Sequence, residues 1–310
     1  VTSTGPQAAE TPEDDEPSVR RVVDVDGVPM SARVREVPDP RAVVLALHGG
    51  ATTSAYFDAP DRPRLSLLRT GAALGFTVIA LDRPGYGASA AHAARLASPA
   101  RRVDLVHAAV DRLLTSGSAG AGVFLLAHSM GCVLALQVTA DARGADLLGV
   151  ELAGIGLRQQ PLAKEIIEAR NGNGASPRNA GNRLRDLVWG PSHLYPADVA
   201  DGAGLMSAVP PFEGQDVGSW EREFARLAAQ VRVPVRFTLG DHETVWTGGP
   251  EELADIAALF TSSPRVEAGE QAYAGHNLSL GLAATAYHLK VLSFVEECVL
   301  ASCCAAAAAR

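Results

Sequence analysis

A serine, a histidine and two closely spaced carboxylates lie where apolar runs of this chain give way to loops. Together they could act as nucleophile, base and orienting acid. Ser129 falls in LLAHSMGCVLALQ. The residues before it, GVFLLAH, are apolar and rich enough in branched and aromatic side chains to form a buried strand. Those after it, MGCVLALQVTADA, place apolar residues at helical spacing. A serine at that junction occupies a sharp, strained turn that lifts its hydroxyl above a sheet. The residues two before and two after must be small, because strand and helix pass close together there. Gly131 meets that demand fully and Ala127 less comfortably. An N-cap of the following helix is the plainer use of such a serine.

Three further segments carry suitable groups, each taken to follow a predicted strand. His48-Gly49-Gly50 closes AVVLAL, and its glycines free backbone N–H groups to face a developing oxyanion. The N–H of Gly50 and that of Met130 form the natural donor pair, while His48 reads as a turn-stabilising residue. Leu239-Gly240-Asp241-His242-Glu243 follows VPVRFT, so either Asp241 or Glu243 could orient an imidazole, with His242 a loop residue. Gly275-His276-Asn277 precedes the last helix and offers a general base. His92, His107, His193 and His288 lack a matching carboxylate and read as structural.

The elements that must position these groups alternate along the chain. SVRRVVDVDG and VPMSARVREV form a hairpin turned at Asp26-Gly27. Strands then follow in AVVLALHGG, FTVIALDRPGYG, GVFLLAH, LLGVELAGIG and VPVRFTLGD. Helices lie in RLSLLRTGAALG, from Ala100 to Leu114, after Ser129, in SWEREFARLAAQ, in PEELADIAALF and from about Leu280. Continuous apolar strands alternating with amphipathic helices specify a mostly parallel sheet covered on both faces. The expected organisation is an acidic disordered tail over 1–18, core over 19–157 and 219–300, a lid of helices and loops over 158–218 and a low-complexity stretch over 301–310 that either extends the last helix or frays.

Composition narrows the function. The 310 residues carry a formal net charge of -8, and no basic stripe offers to neutralise nucleic-acid phosphates. Cys132 stands apart from Cys298, Cys303 and Cys304, which is not a disulfide framework and suits a reducing compartment. The N-terminal stretch lacks the pattern of a signal peptide, and Lys290, Glu296 and Glu297 interrupt the last apolar helix. A soluble, cytoplasmic protein with neither nucleic-acid nor membrane partner is expected. No Gly-rich dinucleotide motif or His/Cys cluster implies a cofactor or metal.

Oxyanion glycines, then serine, acid and histidine is the chain order of the α/β-hydrolase triad. On AHSMG, HGG and the turn LDRPGYGAS, where Gly85 and Gly87 supply unusual backbone angles, the chain resembles that superfamily over about residues 19 to 300, the lid apart. The resemblance implies an α/β-hydrolase fold with an inserted helical and loop lid. It also favours Glu243, three residues after the strand-closing Gly240, as the acid. Asp241 and, one strand earlier, Glu151 remain alternatives. A serine in the elbow sets the chain apart from the dehalogenases and epoxide hydrolases of this fold, which use aspartate there.

The expected activity is hydrolysis of an ester, thioester or lactone through an acyl-enzyme on Ser129. His276 would serve as base and Gly50 and Met130 as oxyanion donors. The alternatives are an acyltransferase, a carbon–carbon bond hydrolase, or a non-catalytic ligand-binding or scaffold member. Arg158, Lys164, Arg170, Arg178, Arg183 and Arg185, set against Glu165, Glu168 and Asp186, form either a solvated surface or a site for an anionic or carrier-bound acyl substrate.

Overall fold

The computed structural model describes residues 18–59, 61–114, 117–171, 177–199 and 205–308. Side chains over 170–181 fall outside that description, so the readings of Arg170 and Arg178 lie outside it, as does nearly all of the acidic tail.

Strands β1 (Val19–Val25) and β2 (Val28–Arg35) pair antiparallel in the expected hairpin. Asp26 and Gly27 turn it with φ of 51° and 76°, the left-handed angles that tight hairpin loops need. The sheet continues with β3 (Val43–Leu47), β4 (Thr77–Leu81), β5 (Val123–His128), β6 (Gly149–Ala153), β7 (Val235–Gly240) and β8 (Val266–Gln271). Its order is β1-β2-β4-β3-β5-β6-β7-β8, with β2 antiparallel to β4 and every later pairing parallel.

Each central strand feeds two cores because its side chains alternate. Val43, Leu45 and Leu47 join the apolar cluster on one face, and Val44 and Ala46 join that on the other. The first face packs beneath α2 (Pro99–Leu113), α3 (Met130–Ala140), α6 (Glu213–Ala228) and α7 (Pro250–Leu259). The second packs beneath α1 (Leu67–Ala73) and α8 (Ala284–Ala308). Strand order reverses between β3 and β5, which opens a crevice at their carboxyl ends, the usual ligand position in open α/β sheets.

Three expectations change. Strand β8 has no counterpart among the predicted strands: VEAGEQ is polar, contains Gly269 and forms the sheet edge, where one face need not be buried. Between β6 and β7 the chain forms two helices, α4 (Pro161–Asn171) and α5 (Pro177–Val188), in keeping with the expected mixture of helices and loops. Helix α6 starts at Glu213 rather than near Ser219. Gly214 and Gly218 disguise its first turns, while Glu213 and Asp216 suit a helix N-terminus electrostatically. Finally, 301–308 extends the last helix, and α8 is long and apolar enough, by length and composition, to cross a membrane. Its face from Ala284 to Val299 is nonetheless packed on the sheet, with Tyr287, Val291 and Val295 buried.

Candidate active site

Ser129 links β5 to α3 with φ 51° and ψ -122°, a region that costs a non-glycine residue about 1–3 kcal/mol. Its N–H donates to Ala153 O at 2.8 Å, and its carbonyl accepts from Cys132 N at 2.8 Å, which hold the turn. The demand for a small residue is most acute at Gly131, where a Cβ would lie 2.4 Å from Leu47 O and 2.7 Å from His48 O. Ala127, by contrast, fits fully buried between Leu47 and Leu152 in the sheet.

His276 stands between the serine and one carboxylate. Its Nδ1 lies 2.9 Å from Glu243 Oε2 and 3.1 Å from Oε1, and its Nε2 lies 3.1 Å from Ser129 Oγ. A carboxylate can only accept, so Nδ1 carries the proton and Nε2 is free to accept from the serine hydroxyl. Histidine and glutamate are both buried. The amides of Thr244 and Val245 donate to Glu243 Oε1 at 3.0 and 2.8 Å, which keeps the carboxylate aimed.

Asp241, the competing acid, faces elsewhere. It accepts from His242 Nδ1 at 2.8 Å, Tyr273 N at 2.9 Å and Ala274 N at 3.0 Å, stapling the end of β7 to the loop that carries His276. Burial opposes its ionisation, but those donors outweigh burial and hold its pKa below the ordinary aspartate value. Glu151 is farther back, fully buried in β6 between Arg236 at 3.2 Å and the Tyr287 hydroxyl at 3.2 Å.

The Gly50 loop closes the site from β3. A Cβ on Gly50 would stand 3.3 Å from Met130 Cγ, so the two candidate oxyanion donors are neighbours. Met130 opens α3, and its N–H therefore has no acceptor within the helix. His48 is structural, as expected: its Nδ1 lies 2.8 Å from Gly49 O, and its Nε2 accepts from Arg83 N at 3.0 Å.

Sequence reasoning missed several supports. His128 is buried and stacked on Tyr56 at 4.4 Å, and its Nε2 donates to the carbonyl of His276 at 2.9 Å. Burial, reinforced by nearby His276, keeps it neutral far below the ordinary histidine pKa. A polar residue ending the apolar run GVFLLAH was the available signal. Tyr195 Oη accepts from Asn277 N at 3.1 Å, Thr244 Oγ1 donates to Leu187 O at 2.7 Å, and Gln160 Nε2 donates to Glu243 O at 2.7 Å. The β6–β7 connection thus braces both the acid and the base loops. Two of its basic residues have acidic partners: Arg158 pairs with Glu252 and Asp255, and Arg183 with Glu165.

Residues 43–285 match the sequence profile described as "Alpha/beta hydrolase family". The chain belongs to that family. Among solved structures, this alpha/beta hydrolase resembles a membrane phospholipase A described as a bacterial virulence factor. They share 17% identity and a TM-score of 0.64 over 91% of this chain and 86% of the other. It also resembles a thermophilic esterase from Thermogutta terrifontis (17% identity, TM-score 0.62, 91% and 99% covered). A thioesterase domain from the curacin biosynthetic pathway is similar at 17% identity and TM-score 0.55, with 89% and 100% covered. At such identities the likeness is one of fold. No curated protein matches this hydrolase in sequence.

Proposed function

We propose that the chain is a serine hydrolase of the esterase or thioesterase kind, acting on a small ester, thioester or lactone. The observation that carries the reading is His276 held between Glu243 at 2.9 Å and Ser129 at 3.1 Å, with the imidazole tautomer imposed by the carboxylate.

In this mechanism Ser129 Oγ attacks the substrate carbonyl as its proton passes to His276 Nε2. Glu243 offsets the imidazolium charge without taking the proton. The tetrahedral oxyanion is held by the N–H groups of Gly50 and Met130. Collapse expels the leaving group, which takes the proton from Nε2. Water then attacks the acyl-enzyme with His276 again as base, releasing the acid and restoring the serine. The β6–β7 connection serves as the lid that shapes the acyl pocket; its bonds to the Glu243 and His276 loops support that role.

The test is labelling with a fluorophosphonate probe of the wild type and of folded Ser129→Ala, His276→Ala, Glu243→Ala and Asp241→Ala variants. The expected pattern is no labelling of the serine variant, near-loss in the histidine variant, and a far larger loss with Glu243→Ala than with Asp241→Ala. A folded wild type that resists the probe would overturn the reading.

A further inference from the structure

We propose that Arg83, its charge secured by Glu213, is a positioning residue that aims and polarises the Gly49–Gly50 peptide, whose N–H is the oxyanion donor. This rests on the serine-hydrolase reading above.

A trans peptide is planar, with its C=O and the next residue's N–H pointing in opposite directions. Whatever holds Gly49 O therefore aims the N–H of Gly50. Three donors converge on that oxygen: His48 Nδ1 at 2.8 Å, Arg83 Nη2 at 3.0 Å and Thr52 Oγ1 at 3.2 Å. Arg83 also fixes the first of these, because its own N–H donates to His48 Nε2 at 3.0 Å and so leaves the imidazole proton on Nδ1. Two adjacent glycines would otherwise have more backbone freedom than any other pair. They are nevertheless needed, since a Cβ on Gly49 would meet His128 Nδ1 at 2.9 Å and Ser129 Cβ at 3.2 Å.

The neighbouring amide does not compete for the oxyanion. Ala51 N–H is committed to Tyr86 Oη at 3.2 Å, and Ala51 O accepts from Ser207 N at 2.8 Å. Gly50 N–H is thereby singled out within this loop. A cationic donor on the carbonyl side draws electron density toward oxygen and makes the N–H a stronger donor.

Such a cation needs a counter-charge, because Arg83 is only 4% exposed. Glu213, 3% exposed at the start of α6, contacts Arg83 Nη2 at 2.6 Å, and the guanidinium lies 4.8 Å from the Tyr86 ring centroid. Burial works against the charge, but Glu213 and Tyr86 more than restore it and keep Arg83 protonated. Helix α6 is thus coupled to the oxyanion loop through the buried Arg83–Glu213 ion pair.

A purely structural tie between α6 and the core would make a different prediction, so the experiment needs a readout specific to the oxyanion. A p-nitrophenyl ester and its thionoester analogue provide one, because sulfur is a poor hydrogen-bond acceptor and gains little from the donor pair. The full chain would be compared with Arg83→Lys, Arg83→Met and Arg83→Met/Glu213→Leu, the double variant removing both charges should the single one not fold. Arg83→Met is expected to lower kcat for the oxoester about 10- to 100-fold with KM within about twofold. The thionoester rate should change little, so the oxoester preference collapses, and Arg83→Lys should restore part of it. A folded variant lacking Arg83 that keeps the wild-type ratio overturns the assignment, even if its Tm is lower. If the wild type itself shows no Ser129-dependent fluorophosphonate labelling, the serine-hydrolase reading has failed first, which separates the two.

Discussion

Ser129 shows how much of this site depends on single side chains in unusual surroundings. Its left-handed φ is tolerated because Gly131 lets α3 pass against the carbonyls of Leu47 and His48. Gly131→Val should therefore abolish probe labelling, and retention of full labelling would count against this geometry. Ala127→Gly, in contrast, should keep activity while lowering stability by about 1 kcal/mol, read from denaturant unfolding, through greater backbone freedom in the strand. The acids differ just as sharply. Glu243→Gln should cut kcat by about 10,000-fold, the scale seen when an orienting carboxylate is neutralised. Asp241→Asn weakens only the staple to Tyr273 and Ala274, and a lowered Tm with kcat within about tenfold is expected. Equal kinetic losses in the two variants would contradict that division of labour.

Elements bring these residues together with unequal commitment to the core. Strands β3 and β5 are central and buried along nearly their whole length, so the proposed nucleophile and oxyanion loop rest on the most buried part of the sheet. The proposed acid and base, Glu243 and His276, come from loops after β7 and β8, near the edge, and rely on bracing from Gln160, Leu187 and Tyr195. Helix α8 divides in two. Arg41 and Arg265 pair with Glu296 and Glu297 where its buried face ends, and every side chain from Leu300 to Ala308 is exposed. Truncation after Leu300 should leave Tm and kcat essentially unchanged, whereas truncation before Val291 should prevent folding. Circular dichroism melts would check both.

The whole molecule carries a pH liability in its buried imidazoles. Burial holds His48, His128 and His288 below the ordinary histidine pKa, with His288 pushed down to about 3. An unfolded histidine titrates near about 6.5, so below that pH the unfolded chain binds more protons than the folded one. Stability is then lost as pH falls, by up to about 1.4 kcal/mol per pH unit for each such group. His288 isolates the effect, since it is fully buried and neither ring nitrogen has a hydrogen-bond partner among the described residues. His288→Leu should flatten the decline in unfolding free energy between pH 6.5 and 4.5 by roughly one proton's worth, leaving stability at pH 7.5 little changed. An unchanged slope would show that this imidazole does not govern acid sensitivity.

Patterns acting over a few residues determined the hairpin at Asp26-Gly27, the buried strands, the elbow at Ser129 and the order of serine, acid and histidine. Each is a local matter of side-chain periodicity or backbone freedom, and so is legible in one stretch of chain. The family resemblance favoured Glu243 over Asp241, but only the tertiary structure showed which of the two meets His276. The two are neighbours in sequence, but their partners lie about 33 residues away across the β7–β8 edge, and loop register selects between them. Edge strand β8 escaped sequence reading because a strand exposed at the rim needs no apolar pattern. His128 on the carbonyl of His276, 148 residues distant, and Glu213 beside Arg83 were equally hidden. Such contacts arise only when the sheet order is set, and no propensity near either partner encodes the other.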